Sequence, residues 1–506
     1  MRIAAALIAA SWFLLVAYIF SQRLLFPFDL EWMEGGVLCH SLRLLEGQPI
    51  YGPPSVDFIP FLYTPLYPAL LAALAKVVGL GYTMARSISI AAFAAATYAG
   101  YRFAACAGGS RLAAAIAMAL PAAAFVRTGT FYDLARPDSL WLALVTLGVI
   151  TLYRSARDFN GQRRNDRNRH ALAVGAGLWL VAAFFTKQTA SPFLVASTLA
   201  LAVLDWRLLP TFLASLAITG LPMLWLLNHT TDGWFWTYIF RLHQSHDFYT
   251  HRALIETPLH LAALLGPALI LVVVALIRRP TAALGYTACL AVLGVAIACI
   301  GFGTHWAYPN AYIPGIFFPA IAIGAAAGPL LTSRTWQSGV YLMLALSLLL
   351  RLPDYFGLIP HQPLVLAHRE EDVPSIVRPI VPSAADRETG EQLIDRLRQV
   401  PGEVLIPFHP FYAHLAGKRT YLHRMGVLDI RQAALGPPVG LVEAIRNHRW
   451  DLAVFDDKIA GTWGDWPHFL EEYKIDVSLV GPSVVSGAAT HPNVALVPKG
   501  RGDREP

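Results

Sequence analysis

The chain has 506 residues, of which 56% are hydrophobic and only 14% are charged, and its mean hydropathy is +0.49. These values lie outside the range of soluble globular proteins, so we predict a polytopic membrane protein. The net charge of +6 comes largely from arginines in short segments between apolar runs, which reports topology and gives no reason to expect nucleic-acid binding. None of the four cysteines has CxxC spacing, so neither a disulfide framework nor a zinc site is indicated.

The first apolar run begins after Arg2 and ends near Phe20. No small-x-small cleavage site precedes Gln22, so we expect an uncleaved first helix over residues 4–20. Ten more runs of about 17 to 22 residues have the length that a bilayer requires. They are residues 82–103, 111–127, 138–153, 171–186, 190–205, 209–228, 259–277, 281–301, 312–331 and 337–352, which makes about eleven spans in an all-α bundle.

Three carboxylates, Asp29, Glu31 and Glu34, follow the first run directly, within the segment Phe26–Pro68. Carboxylates so close to hydrocarbon are costly to keep charged. Neighbouring acids also push each other's pKa apart, which is how a general base is poised. The cluster therefore indicates chemistry at the membrane surface. Solvated charges that cap an interfacial helix are the alternative for any one of the three.

Two basic segments set the predicted orientation. Residues 154–170 contain six arginines, and Arg278–Arg279–Pro280 is a short basic turn, so the positive-inside rule places both in the cytoplasm. Each span moves the chain to the other side of the membrane, so the spans can be counted back from these two cytoplasmic segments. This count predicts that the apolar segment 61–79 begins and ends on the outer side. We therefore predict a re-entrant or juxtamembrane helix there, which starts at Thr64–Pro65 and ends at Gly79. The same parity places residues 26–81, 127–138, 187–188, 229–258 and 302–311, and everything after residue 352, on the outer face.

The composition changes after Leu352 to a proline-rich and charged mixture. Helical patterns near residues 385–400, 440–449 and 464–474 alternate with short apolar runs at 404–408, 452–455, 477–480 and 494–497, which predicts a small α/β domain. We therefore expect a transmembrane domain over residues 1–352 and an extracytoplasmic α/β domain over residues 353–506. The second domain is interpreted as a structural or acceptor-orienting cap.

Four motifs follow one another on the predicted outer side: FDLEWMEGG, then GQPIY at 47–51, then YTPLYP with Arg86 after it, and then ARPDSLWLAL. In this order they resemble the GT-C superfamily of integral-membrane glycosyltransferases, and most closely its family 39 and aminoarabinose-transferase-like branch. The resemblance covers roughly the first 310 residues. It implies an integral, multi-pass protein of the plasma (inner) membrane that moves a sugar from a polyprenyl-phosphate donor to a lipid, glycan or protein acceptor on the extracytoplasmic face.

The resemblance also implies roles for acidic residues. In such enzymes a carboxylate of the first outer loop acts as the base, and a second acidic position lies in the next outer loop. By position, Asp29 falls where the base would lie, and Glu31 completes a D-x-E pattern. Asp133 and Asp138 compete for the second acidic site, and the sequence leaves that choice open.

Transfer from a lipid phosphate needs a base on the acceptor hydroxyl but no general acid, because phosphate leaves as a stable anion. It does need positive charge, and arginine and lysine both bind phosphate. Lys187 has an alternative role, in which its side chain only extends to the membrane interface. Arg136 has one too, in which it only balances the charge of nearby aspartates. The candidates for the donor phosphate are Arg136, Lys187, His305 and Arg86, and the further candidates for substrate contact are Glu34, Tyr63, Tyr67 and Asn310.

The resemblance favours a reaction that is independent of metal, so no metal ligand and no cofactor is assigned. Asp29, Glu31 and an aspartate of the second loop nevertheless have the hard oxygen atoms that a divalent cation prefers. His243, His246 and His251 lack the spacing of a closed zinc site and are interpreted as solvated loop residues.

Two other classes of protein compete with the transferase. One is a transporter or flippase for a lipid-linked or polar solute, and the other is a non-catalytic relative that binds a lipid carrier. A transporter is expected to have internal repeats and charged or broken helices near the membrane midplane. The charges of this chain gather at one interface, which favours the enzyme.

Overall fold

A computed structural model describes residues 1–157, 165–332, 334–355, 379–456, 466, 468–478, 480–488 and 490–500. The helices of its first part, in chain order, are α1 Arg2–Leu24, α2 Glu34–Leu45, α3 Leu66–Val78, α4 Tyr82–Gly108, α5 Arg111–Ala117, α6 Ala119–Ala123, α7 Asp138–Ala156, α8 Asp166–Thr186, α9 Ser191–Asp205, α10 Leu209–Thr230, α11 Trp234–Trp236, α12 Thr257–Leu265, α13 Leu269–Arg278, α14 Ala282–Gly303, α15 Ile313–Leu330, α16 Arg334–Leu349 and α17 Leu352–Tyr355.

The described residues contain seven helical stretches that are long and apolar enough to cross a membrane. One of them, Gln188–Thr230, is 43 residues long and contains two of the predicted spans. Each of the eleven predicted apolar runs coincides with helix. The third run is interrupted after α5, because in a continuous helix the ring of Pro121 would clash with the carbonyl group of Ala117, four residues earlier. The protein is an integral membrane protein with the predicted helical bundle, and the number of crossings stays a prediction.

The helices at the centre of the bundle pack with their backbones unusually close together. Nearly every residue of α15 is buried, so this helix lies at the core. A Cβ added to Gly328 of α15 would lie 1.7 Å from the carbonyl oxygen of Gly108 in α4. One added to Gly294 of α14 would lie 2.4 Å from the carbonyl oxygen of Pro314 in α15. Small residues are what allow helices to pack this closely in lipid.

Helix α3 has the bounds that the sequence predicts for the segment 61–79. It follows Pro65, and it ends at Gly79, whose φ of +81° is in the left-handed region that favours glycine. Its 13 residues are fewer than the roughly 20 that a span requires. The helix is therefore of juxtamembrane or re-entrant length, and the side of the membrane on which it lies stays a prediction.

The C-terminal unit, defined as the described residues from 379 onward, is a small α/β fold, as predicted. Its helices are α18 Ala384–Gln399, α19 Phe411–Leu415, α20 Arg424–Gln432, α21 Leu441–Arg446 and α22 Phe469–Glu472, and its strands are β1 Glu403–Leu405, β2 Trp450–Asp456, β3 Tyr473–Ser478 and β4 Pro492–Pro498. Helix α18 begins with a capping box between Ser383 and Asp386.

The four strands form one sheet in the order β1-β2-β4-β3. Strand β1 is parallel to β2, with Val404 opposite Leu452, and β4 is antiparallel to both β2 and β3. The helix predicted over 464–474 is present only as α22, because the chain enters strand β3 at Tyr473 and pairs with β4. The remainder of that prediction falls partly on residues 464, 465 and 467, which lie outside the described residues. The domain boundary at 352/353 stays a prediction.

The C-terminal unit packs directly on the loop that carries the three carboxylates. The backbone N–H groups of Val485 and Ser486 both donate to the carbonyl oxygen of Leu30, at 3.0 and 2.9 Å. Gly390 of α18 lies so close to Phe28 that a Cβ there would be 2.2 Å from the aromatic ring. The unit and this loop therefore lie on the same side of the helical bundle.

Candidate active site

Arg86 fixes the shape of the carboxylate-bearing loop. Its Nε and Nη2 donate to the two carboxylate oxygens of Glu34, at 3.0 and 2.7 Å. Its Nη1 donates to the carbonyl oxygens of Arg23 and Phe26, and Nη2 donates to that of Phe28. An arginine has five N–H donors, so all of them are used inside the protein. The structure thus places Arg86, which the sequence suggested for donor phosphate, in a scaffolding position.

Glu34 ties the first outer loop to the second. Besides Arg86, its carboxylate accepts from the backbone N–H groups of Leu30 and Ala135, at 2.7 and 2.6 Å. Burial alone would raise the pKa of Glu34, but Arg86 and these N–H groups hold that pKa below its ordinary value. Glu34 is therefore an ionised structural anchor here, although the sequence suggested it for substrate contact.

Asp29 is completely buried at the contact with the C-terminal unit. Its Oδ1 accepts from the N–H of Gly35 at 2.8 Å, and its Oδ2 lies 2.7 Å from Nδ1 of His409. Its backbone N–H donates to the hydroxyl oxygen of Tyr412 at 3.1 Å. The C-terminal unit therefore contacts both the carboxylate and the main chain of the predicted base.

His409 stands between two carboxylates. Its Nε2 lies 3.3 Å from Oδ2 of Asp456, and its ring stacks on Tyr412 with centroids 5.0 Å apart. Burial lowers the pKa of His409, but the carboxylates of Asp456 and Asp29 together raise it to about 10. Burial disfavours the charged form of Asp29 as well, and for a carboxyl group this raises the pKa; His409 opposes that rise. The three side chains form a buried acid–imidazole–acid chain.

Glu31 and Arg136 form the second ion pair of the site. Oε2 of Glu31 lies 2.8 Å from Nη1 of Arg136, and Nη2 of Arg136 donates to the hydroxyl oxygen of Tyr63 at 2.6 Å. Oε1 of Glu31 and Nε of Arg136 are buried with no hydrogen-bond partner among the described residues. Buried polar atoms are normally paired, so these two atoms mark a place where a polar ligand would find partners. Burial raises the pKa of Glu31 to about 7.

Lys187 and Asp138 form a third pair next to the second. Oδ1 of Asp138 accepts from Nζ of Lys187 at 2.7 Å and from Nδ2 of Asn310 at 3.0 Å. Lys187 Nζ and the guanidinium carbon of Arg136 lie 5.9 and 5.4 Å from the centroid of the Tyr63 ring. Two cations thus lie beside one tyrosine, and Lys187 is the more exposed of the two.

Asp133 belongs to a separate contact. Its Oδ2 lies 2.6 Å from Nε of Arg23, at the end of α1. Nη2 of Arg23 also donates to the carbonyl oxygen of Thr130 and to Oγ of Ser486, at 3.0 and 2.9 Å. Arg23 therefore links α1, the second outer loop and the C-terminal unit, and Asp133 neutralises its charge.

Two of the predicted contact residues lie in other surroundings. The Tyr67 hydroxyl is buried against Ser89 and the carbonyl oxygen of Ala85 in α4, which is a packing contact between helices. His305 stacks on Trp306, and its Nδ1 lies 3.3 Å from Nε2 of Gln432, so it lies beside the C-terminal unit.

The three loop histidines are dispersed among different partners. His243 lies 2.6 Å from the side chain of Gln188, His246 pairs with Asp429 at 3.3 Å, and His251 pairs with Glu256 at 2.9 Å. Within the part of the chain that the structure describes, no group of three or more His, Cys, Asp or Glu side chains is arranged to hold a metal ion.

Sequence reasoning missed the partners of the acids, which are Arg23, His409, Tyr412 and Asp456. One signal was present: His409 follows β1, and Asp456 ends β2. Because the carboxyl ends of neighbouring parallel strands meet at one edge of a sheet, polar residues there are candidates for a shared site.

No family model matches the chain, and no curated protein matches it in sequence. Its structure is similar to ArnT from Cupriavidus metallidurans, both in the apo state and bound to undecaprenyl phosphate, with a TM-score of 0.59 and 12% sequence identity over 98% of this chain and 99% of that chain. The oligosaccharyltransferase from Archaeoglobus fulgidus gives a TM-score of 0.49 at 11% identity, over 92% of this chain and 70% of that chain. The chain therefore has an ArnT-like fold that includes its C-terminal unit as well as its first 310 residues.

Proposed function

We propose that the protein is a membrane glycosyltransferase that moves a sugar from a polyprenyl-phosphate donor to an acceptor on the extracytoplasmic face. The observation that carries this proposal is that Asp29, the Glu31–Arg136 pair and the Asp138–Lys187 pair belong to neighbouring segments at one end of the bundle. A base and two cations are the groups that the reaction requires. The ArnT-like fold supports it, because that ArnT binds undecaprenyl phosphate.

In the proposed reaction, the acceptor oxygen attacks the anomeric carbon of the donor sugar. Asp29 takes the proton of the acceptor hydroxyl, the bond between the anomeric carbon and the phosphate oxygen breaks, and the phosphate leaves with the electron pair. Lys187 and Arg136 bind the phosphate oxygens and compensate the charge that develops on them. Arginine suits this role because its fork of donors can bind two oxygens at once.

The site is closed in this structure, because Asp29, Glu31 and Arg136 are almost fully buried. Substrate therefore has to displace a contact, and the Glu31–Arg136 pair is the one with unpaired atoms on both sides. With its pKa near 7, Glu31 is easily protonated, and protonation would release Arg136 to the incoming phosphate.

Of the two aspartates that compete for the second acidic site, we favour Asp138. It accepts from Lys187 and Asn310, which are both candidates for substrate contact. Asp133 is instead committed to Arg23. Tyr63 and Asn310 line the same place and are proposed substrate contacts.

The test is donor cleavage by purified protein in liposomes, measured as release of undecaprenyl phosphate from a panel of undecaprenyl-phosphate-linked sugars, with a membrane lipid extract as the acceptor. We expect release by the native protein and its loss in Asp29→Asn. Asp57→Asn is the matched control, because Asp57 lies on the same outer segment but pairs at the surface with Arg419. Turnover retained in Asp29→Asn would remove Asp29 as the base, and no release by the native protein from any donor would contradict the transferase.

A non-catalytic carrier-binding protein makes a different prediction. Such a protein would be stabilised against heat by undecaprenyl phosphate but would release none from any donor. A transporter would move a labelled donor between leaflets without cleaving it. The same liposomes therefore separate all three classes.

A further inference from the structure

We propose that His409 is a positioning residue that holds Asp29 ionised and oriented while the site is sealed, so that the C-terminal unit completes the catalytic site. The inference rests on the proposed function, in which Asp29 is the base. It is carried by the buried chain of Asp29, His409 and Asp456, which joins the membrane part of the protein to the sheet of the C-terminal unit.

The positions of the two ring nitrogens bear on the charge of His409. Nδ1 faces Oδ2 of Asp29 at 2.7 Å, and Nε2 faces Oδ2 of Asp456 at 3.3 Å. A neutral imidazole has only one N–H, so one nitrogen lone pair would point at a carboxylate oxygen. An imidazolium donates from both nitrogens. The arrangement therefore favours the charged ring, and the raised pKa of His409 agrees with it.

A charged neighbour is what a buried base needs. A carboxyl group without solvent favours its protonated form, and a protonated Asp29 cannot accept a proton from the acceptor. The N–H of Gly35 provides a hydrogen bond to Asp29 but no net charge. His409 provides both, on the opposite carboxylate oxygen.

The other titratable groups near this chain do not replace the imidazolium. Glu34 and Glu31 are acids and oppose ionisation of Asp29, and Arg86 is saturated by Glu34 and backbone carbonyls. The remaining groups that face Asp29 or His409 are Tyr82, Tyr412, Cys39 and His423.

The geometry also fixes the direction of the Asp29 carboxylate. Tyr412 accepts from the backbone N–H of Asp29 and stacks on His409, so helix α19 and the residue two positions before it hold the aspartate at two points. Asp456 at the end of β2 then holds the far side of the imidazole. Each of these residues is buried, so the contact forms only when the C-terminal unit is seated.

The test is the pH profile of kcat/KM for donor cleavage by the full-length protein in liposomes. His409→Asn keeps a donor to Asp29 but removes the charge. We expect its acid limb to move up by about one to three pH units, which is the usual effect of an opposite charge on a carboxyl pKa. His423→Asn is the matched control, because His423 is also buried in the C-terminal unit and contacts the same loop, through the carbonyl oxygen of Trp32. A structural role alone would lower the rate without moving the limb.

A measurement that needs no turnover is the ¹⁵N spectrum of histidine-labelled native protein, in which one of the sixteen histidines should remain imidazolium at pH 8.5. An active native protein with an unmoved acid limb in His409→Asn, or a native protein with every histidine neutral at that pH, would overturn the inference. A native protein that cleaves no donor would overturn the proposed function instead.

Discussion

Nε of Arg23 lies 2.6 Å from Oδ2 of Asp133, and both side chains are buried. This pair connects the first membrane helix to the second outer loop, and Ser486 of the C-terminal unit joins it through Nη2 of Arg23. The pair distinguishes the two aspartates that the sequence leaves as alternatives: Asp133 is paired with Arg23, and Asp138 is the one that we propose for the second acidic site.

The first prediction separates these two aspartates by stability. Asp133→Asn leaves Arg23 buried without its counter-charge, which is expected to cost about 3–5 kcal/mol. Asp138→Asn should cost less, because Lys187 is partly exposed and can reach solvent. The measurement is the thermal midpoint of each variant in detergent. An equal or larger loss in Asp138→Asn would contradict the assignment.

The second prediction concerns Lys187. A charged hydrogen bond to phosphate contributes about 1.5–3 kcal/mol, so Lys187→Gln should lower kcat/KM for the donor by roughly tenfold to hundredfold. Lys187→Arg should retain most of the activity because it keeps the charge. Lys76→Gln, at the exposed end of α3, is the control and should match the native protein. If Lys187 only snorkels to the interface, its glutamine variant will behave like the control.

The third prediction is a pH dependence of stability. Burial raises the pKa of Glu31 from 4.5 to about 7. Between these pH values the folded protein keeps a proton that the unfolded chain has lost, so stability falls as the pH rises, by about 3 kcal/mol in total. Glu31→Gln removes this contribution. Its thermal midpoint should therefore fall less between pH 5 and 7 than that of the native protein, whereas the surface variant Glu388→Gln should keep the native slope.

The fourth prediction tests whether Arg86 is a scaffold. Lysine has three donors against the five of arginine, so Arg86→Lys loses at least two of the buried hydrogen bonds that Arg86 donates. At about 0.5–3 kcal/mol for each lost bond, the variant should lose roughly 1–6 kcal/mol of stability. The folded fraction should nevertheless keep the native KM for the donor. A raised KM with native stability would mean that Arg86 binds the donor phosphate and is not a scaffold.

The fifth prediction concerns topology. In a variant without the four native cysteines, a cysteine at Gln48 or at Glu388 should react from outside with an impermeant maleimide, and one at Thr281 should not. All three positions are exposed in the structure, so accessibility reports only the side of the membrane. Labelling of Gln48 and Thr281 from the same side would mean that residues 61–79 cross the bilayer.

Several features were predictable from the sequence because they depend on local pattern. The apolar runs gave the helices, and Pro65 and Gly79 gave the bounds of α3. The gathering of Asp29, Glu31, Arg136 and Lys187 followed from their order and from the parity of the spans. Which acid pairs with which cation did not follow, because residues as close in sequence as Asp133 and Arg136 have different partners.

The strand order could have placed His409 beside Asp456, but nothing local indicated the contact of His409 with Asp29, since that contact depends on how the sheet of the C-terminal unit packs on the first outer loop. The role of Arg86 was hidden for a related reason. Its five acceptors are mostly backbone carbonyls, which every residue has, so only the three-dimensional path of the loop brings them together.

Asp29 and His409 are separated by 380 positions in the chain. A ribosome that is making this protein therefore inserts nearly all of its membrane helices before the imidazole partner of Asp29 has been synthesised. A nascent or truncated copy would have Asp29 without that partner, and the site that we propose would be complete only after the C-terminal unit has been made.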